Sequence, residues 1–174
     1  MISTPLPPVP DALAARGLAL RARRSDDDNF LRHVYLAHRW DELAASGWPQ
    51  ETRIAFLGQQ HDLQRRAYDG NYPGAAWGVI EVNEERAGRL YLHYTGQDMR
   101  IIDIAFLPPF RARGFGGTLL AATQELTRRL GGTKASLHVE QNNPALNLYQ
   151  RLGFRIMEQR SPYYLMEWQA GCVS

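Results

Sequence analysis

The sequence predicts an α/β (α+β) fold in which a mixed, mostly antiparallel sheet of six to seven strands is flanked by about four helices. Three observations carry this. The run Ile101 to Leu107 is apolar and β-branched, broken only by Asp103, and stops at Pro108-Pro109, where a strand cannot continue its ladder. Directly after it, Arg111 to Thr118 form a glycine-rich turn that opens a helical pattern at Leu119, Thr123, Leu126 and Leu130. Around these, strand-like and helix-like segments alternate in the order β-α-α-β-β-β-α-β-α-β-β.

Taken in chain order, residues 1–15 are a leader whose first ten positions hold four prolines and read as extended and mobile. Leu18 to Arg24 alternate as a half-buried strand. Ser25 then caps a first helix over residues 25–45, with Asp26, Asp27 and Asp28 in the turn where the helix dipole favours acids. Gly47-Trp48-Pro49 separates it from a second helix over 51–68, whose apolar stripe is Ile54, Phe56, Leu57, Leu63 and Tyr68. Residues 76–82 and 89–94 make a hairpin across the polar 83–86, and the central strand follows. After Gly131-Gly132 come a strand over 135–140, a helix begun by Asn143 as N-cap and Pro144 as first residue, and closing strands at 154–158 and 163–168.

Composition narrows the function. The 174 residues, 44% hydrophobic and 22% charged, suit a single domain spanning 1–174 with its core at 18–168. A net charge of +2 with dispersed arginines, and Lys134 as the only lysine, gives no nucleic-acid signature. No stretch approaches the ~20 apolar residues of a membrane span. The single cysteine, Cys172, excludes an internal disulfide and a cysteine-rich metal site, so no metal is expected, and a cytoplasmic location is the default.

The glycine turn has a chemical use. The first turn of a helix leaves amides without partners and carries the positive end of the dipole, so an anion such as phosphate belongs there. Gly114, Gly116 and Gly117 allow close approach, and Arg111 and Arg113 add charge. The turn has no Lys-Ser/Thr as in a P-loop and no G-x-G-x-x-G as in a dinucleotide fold. Instead, Arg111, Gly114 and Gly116 resemble the Gln/Arg-x-x-Gly-x-Gly/Ala acyl-CoA loop of the GCN5-related N-acetyltransferase (GNAT) superfamily. Asn142 to Phe154 resemble that superfamily's Asn-x-x-Ala-x-x-Leu-Tyr-x-x-x-Gly-Phe segment at every fixed position.

The resemblance implies a GNAT fold and transfer of an acetyl group from acetyl-CoA to a primary amine, in a small molecule, amino acid or peptide, by direct attack in a ternary complex. It also implies a leaning to homodimers. The backbone of Ile104, Ala105 and Phe106 would hold the acetyl carbonyl and pantetheine. Arg111, Ala112, Arg113, Gly114, Phe115, Gly116, Gly117 and Thr118 would cradle the pyrophosphate. Asn142 would orient the pantetheine arm, a role Asn143 could share, and the Tyr149 hydroxyl would lie near the sulfur. A non-catalytic acyl-CoA-binding regulatory module of the same fold is the alternative.

Chemistry adds a further requirement, since a lysine-like amine has a pKa of about 10.4 and must lose a proton before it attacks. Tyr149 is the candidate acid. Asp103, His138 and Glu140 are candidates for proton removal, the last two sharing one face of their strand, and a water chain is the alternative to any single base. His93 lies on the neighbouring hairpin strand; the structural alternatives are that Asp103 is a paired carboxylate and that His93 and His138 are packed or surface histidines. The acceptor pocket is expected from the first two helices, with Tyr35, Arg39, Trp40, Gln60 and Gln64 as candidate lining and Arg39 and Arg53 as candidate carboxylate ligands.

Overall fold

The computed structural model describes residues 2–171, so Cys172 lies outside the described residues. Its strands are β1 (Leu18–Ala22), β2 (Ala76–Val82), β3 (Glu85–Tyr94), β4 (Asp98–Phe106), β5 (Lys134–Glu140), β6 (Arg155–Arg160) and β7 (Tyr163–Gln169). They form one seven-stranded sheet in the order β1-β2-β3-β4-β5-β7-β6. Every neighbouring pair is antiparallel except β4 and β5, which are parallel. The helices are α1 (Asp11–Ala14), α2 (Asp28–Arg39), α3 (Gln50–Asn71), α4 (Phe115–Arg129) and α5 (Leu146–Arg151).

Alternation along the strands sends side chains to two faces, and each face has its own core. On one, Leu90, Leu92, Met99, Ile101, Leu137 and Val139 pack with Phe115, Leu119 and Leu120 of α4 and Tyr149 of α5. On the other, Val79 and Tyr91 pack with Leu31 of α2, joined by Phe30, Tyr68, Trp77 and Ile102. The sheet therefore separates the α4/α5 layer from the α2/α3 layer.

Several expectations are corrected. The leader is anchored to the domain: Thr4 and Pro7 are buried, the Thr4 amide donates to Gly74 O (2.9 Å), and its Oγ1 accepts from the Tyr94 amide (2.8 Å). Leu13 of α1, unforeseen in the leader, is also buried. The first helix is shorter than 25–45, since a 3₁₀ turn covers Ser25–Asp27 and another covers Trp40–Ser46. Ser25 does not cap it; Asp27 accepts from the Arg24 amide instead (2.7 Å). In the hairpin, β3 begins at Glu85, because Asn83 and Glu84 both take positive φ (50° and 68°) and turn the chain in two residues, as primed hairpin turns do.

Along α3 the buried positions are Leu57, Gly58 and His61, while Ile54, Phe56 and Leu63 face solvent. Of the expected stripe, Leu57 and Tyr68 face the sheet and the other three do not, because the remaining positions facing the sheet are polar: His61, Gln64 and Arg65. α5 starts at Leu146, later than predicted. Asn143 is not its N-cap but makes a local turn, its Oδ1 accepting from the Ala145 amide (2.9 Å).

Asp27 ties the α2 layer to the first strands. Its side chain has no solvent exposure and accepts two bonds from Arg21 (2.8 and 2.9 Å) and one from Arg86 (3.3 Å). The Arg21 bonds chiefly hold its carboxyl far below the usual carboxylate range. That contribution is complete above the unfolded value of about 3.9 and is lost as pH falls towards the folded one. Asp27→Asn should cost roughly 1–3 kcal/mol in urea unfolding at neutral pH and should flatten the acid limb of the stability curve. An unchanged midpoint would show that the cluster is a solvated ornament.

Candidate active site

The site begins where β4 and β5 part. Their pairing covers only Asp98, Met99 and Arg100 against Lys134, Ala135 and Ser136. Beyond it the strands diverge, leaving inward-facing backbone groups of Ile101 to Phe106 and Leu137 to Glu140 without a ladder partner between them. Opposite β3, a bulge sets Tyr91 against Asp103 and Leu92 against Ile101, so Ile102 is supernumerary. Such a bulge bends and twists its strand, which helps carry β4 away from β5.

On one side of the parting stands the glycine turn. After Phe106 the chain makes a 3₁₀ turn at Pro108–Phe110, and Arg111 Nε donates back to Phe106 O (2.8 Å), stapling the loop to the strand end. Gly114 has φ +80°, a conformation that favours glycine. No side chain caps α4, and its first bond runs from the Thr118 amide to Gly114 O (3.3 Å), so the amides of Phe115, Gly116 and Gly117 precede it unpartnered. A Cβ at Gly116 would meet only the Phe106 ring, at an ordinary 3.6 Å. Packing therefore does not demand glycine there, whereas a ligand lying on the amides would.

The Thr118 hydroxyl donates to Gly114 O (3.1 Å), leaving its lone pairs free to accept. Arg113 lies over the Phe110 ring. Sequence reasoning missed Arg16, which donates to Arg113 O (2.9 Å) and covers the Phe115 ring. Nothing local marks it, since it comes from the turn before β1.

On the α2/α3 side the parting opens into a cleft of about 470 Å³. Tyr35, Arg39 and Gln64 line it as expected; Trp40 and Gln60 do not. Trp40 instead stacks under Arg53, which lies outside the cleft lining, and Arg39 is committed to Glu42 (2.7 Å) and the Tyr35 hydroxyl (3.2 Å), so it does not stand open as a carboxylate ligand. The cleft also holds Asn143, while Asn142 is exposed outside its lining.

Asp103 is ion-paired with Arg89, a β3 residue that is 4% exposed and that also donates to Gln64 Oε1 (3.3 Å). Arg89 was missed, although its place in the alternating Gly88-Arg89-Leu90-Tyr91 is the signal of an inward charge needing a partner. His138 Nδ1 contacts the Arg100 guanidinium, and burial followed by that positive charge lowers the His138 pKa. His93 bonds Pro73 O (3.1 Å) outside the cleft lining. Glu140 lines the cleft with no ion-pair partner among the described residues.

Tyr149, from α5, is 8% exposed and reaches the cleft. Burial, and then the charge of Asp103, pushes its phenol up to about 12. Among the described residues no cluster of His, Cys, Asp and Glu could hold a metal ion, and no helix is long and apolar enough to cross a membrane.

Residues 34–154 match the acetyltransferase (GNAT) family. The chain belongs to that family. It is 29% identical over 169 residues to mycothiol acetyltransferase of Mycolicibacterium smegmatis, covering 92% of this chain but 52% of that protein, so it spans about half the relative's length. It is 31% identical to the uncharacterized N-acetyltransferase YycN of Bacillus subtilis, covering 73% of this chain and 85% of that one. The PaiA N-acetyltransferase of Thermoplasma acidophilum, solved in complex with coenzyme A, shares the fold with TM-score 0.67 at 15% identity, over 87% and 98% of the two chains. A GNAT acetyltransferase from Elizabethkingia anophelis with acetyl-CoA bound gives TM-score 0.60 at 16% identity, over 88% and 98%.

Burial also raises the phenols of Tyr35, Tyr68 and Tyr91. Such groups favour the folded state fully below the unfolded value of about 10, and this is lost as pH rises through their folded values. Ultraviolet titration of the native protein near pH ~10.5 should therefore show distinctly fewer phenolates than the 8 tyrosines release in denaturant. Equal counts would mean the tyrosines lining the cleft are solvated.

Proposed function

We propose that the protein transfers an acetyl group from acetyl-CoA to a primary amine by direct attack in a ternary complex. The carrying observation is that an uncapped helix start and a polar cleft meet at one parting of parallel strands. The residues fit coenzyme A on the strength of the unpartnered α4 amides and the open space at Gly116. Acetyl-CoA would supply an acyl carbon already activated as a thioester.

In this reading the amides of Phe115, Gly116 and Gly117 hold the pyrophosphate, with Arg111, Ala112, Arg113, Gly114 and Thr118 shaping the cradle. The free backbone of Ile104, Ala105 and Phe106 takes the pantetheine and orients the acetyl carbonyl. Asn143 is better placed than Asn142 to contact the arm, because its Oδ1 is already held and its amide group remains.

The acceptor amine arrives protonated and needs a carboxylate or water to receive its proton. Asp103 is occupied by Arg89 and His138 by Arg100, which leaves Glu140 as the cleft group open to an ammonium. Tyr149 faces the thiol end. A phenol near 12 gives up its proton less readily than a thiol of about 8.5, so Tyr149 stabilises the departing sulfur by a hydrogen bond rather than by full transfer.

Acetyl-CoA should raise the melting temperature of the wild type by mass action. Gly116→Asp, which places bulk and negative charge on the cradle, should abolish that shift; equal shifts in the two proteins would remove the cofactor site from this loop. Tyr149→Phe keeps the ring and its packing against Phe154. Turnover should fall by about 10- to 10³-fold with acetyl-CoA affinity nearly unchanged, as for a bond made mainly in the transition state. Unchanged turnover would make Tyr149 a packing residue.

A further inference from the structure

The charges of the cleft leave one guanidinium over. Arg89 is neutralised by Asp103, Arg39 by Glu42 and Arg160 by Glu158. Arg100 has no carboxylate partner among the described residues. Its Nη1 lies 3.4 Å from Ser136 Oγ, itself donating to Asp98 (2.7 Å), and its Nη2 meets His138 Nδ1. A guanidinium only donates, so His138 Nδ1 must accept and its remaining proton sits on Nε2. The Arg100 guanidinium, oriented by His138, thus keeps donors in the cleft lining with no carboxylate to receive them.

Register places this pair relative to the chemistry. Arg100 is level with Ser136, the last paired position, and its head group lies beside His138, two residues further along β5. Glu140 is two residues beyond His138 on the same strand face. At roughly 3.3 Å per residue, about 7 Å of strand separates this pair from the free carboxylate.

We propose that Arg100, oriented by His138, forms a subsite for the carboxylate of the acceptor, which is therefore an amine carrying an acid at some distance from its reacting nitrogen, as in an ω-amino acid. This rests on the acetyltransferase reading and adds the acceptor's class to it. The acid docks at Arg100, the ammonium meets Glu140, and the span between them fits a chain of several bonds. An α-amino acid, with both groups on one carbon, is too short to reach both.

The test compares 6-aminohexanoate, hexylamine and glycine as acceptors, following release of free CoA, in wild type, Arg100→Gln and Arg100→Lys. Wild type should prefer 6-aminohexanoate over hexylamine by ~10-fold or more in kcat/KM, the worth of a charge-assisted bond, and glycine should be poorest. Arg100→Gln should bring the two longer amines to within ~2-fold, and Arg100→Lys should keep part of the preference because it keeps the charge. Equal use of the two amines by wild type, or a preference that survives Arg100→Gln, overturns the subsite.

Should none of the amines turn over, saturation-transfer NMR on the CoA-loaded protein decides. Contact with 6-aminohexanoate that disappears in Arg100→Gln supports the subsite, and no contact overturns it. Failure of the wild type to bind acetyl-CoA would instead bring down the acetyltransferase reading. Unchanged acetyl-CoA affinity and melting temperature in the Arg100 variants show that the readout is the acceptor's.

Discussion

Three register pairs are all that hold β4 to β5, and the rest of the site follows from their ending at Arg100 and Ser136. Buried backbone donors and acceptors need partners, and a parting of parallel strands inside a sheet leaves a row of them exposed to whatever fills the gap. The neighbours on either side stay paired along the gap, β4 to β3 on both sides of the Ile102 bulge and β5 to β7 throughout, so the gap is framed by ladder. The Ile102 bulge turns β4 outward, and Tyr149, Phe115 and Val139 share one core beside the opening. The parting is thus supported by the fold and not a frayed end.

Polar groups around the opening differ in how far they are already committed. Arg89 is buried while its partner Asp103 is half-buried, and removing Asp103 would leave the guanidinium buried without a counter-charge, a change that generally costs several kcal/mol. The pair's role is to hold the cleft floor, with Gln64 fastened to it from α3. Glu140 and Arg100 are the uncommitted acid and base of the cleft, and they lie on the face of β4 and β5 turned to α2 and α3. In the proposed reading, specificity for the acceptor is therefore separated from the cofactor loop, which is built from the other end of β4.

What could be read from the sequence was local. The glycine turn, the Asn142–Phe154 segment and the strand before them are contiguous, and their chemistry follows from spacing, which is why the fold and the family were legible. Contacts made across the sheet were not. Asp103 showed as a lone acid, but its partner Arg89 lies on another strand, and the bulge that brings them together leaves no local mark. The polar buried face of α3 misdirected the helix reading, since His61 is turned inward while Phe56 and Leu63 face water. The proline-rich leader looked free because Thr4's anchors, Gly74 and Tyr94, are far along the chain.

In the proposed reading coenzyme A lies along the parting, from the α4 amides to the free edge of β4. Amide hydrogen exchange with and without acetyl-CoA reads those groups directly. Protection should rise at Ile104 to Phe106 and at Phe115 to Gly117, while β1, β2 and the outer strand β6 stay unchanged. Protection confined to other elements, or none at saturating acetyl-CoA, would contradict the account.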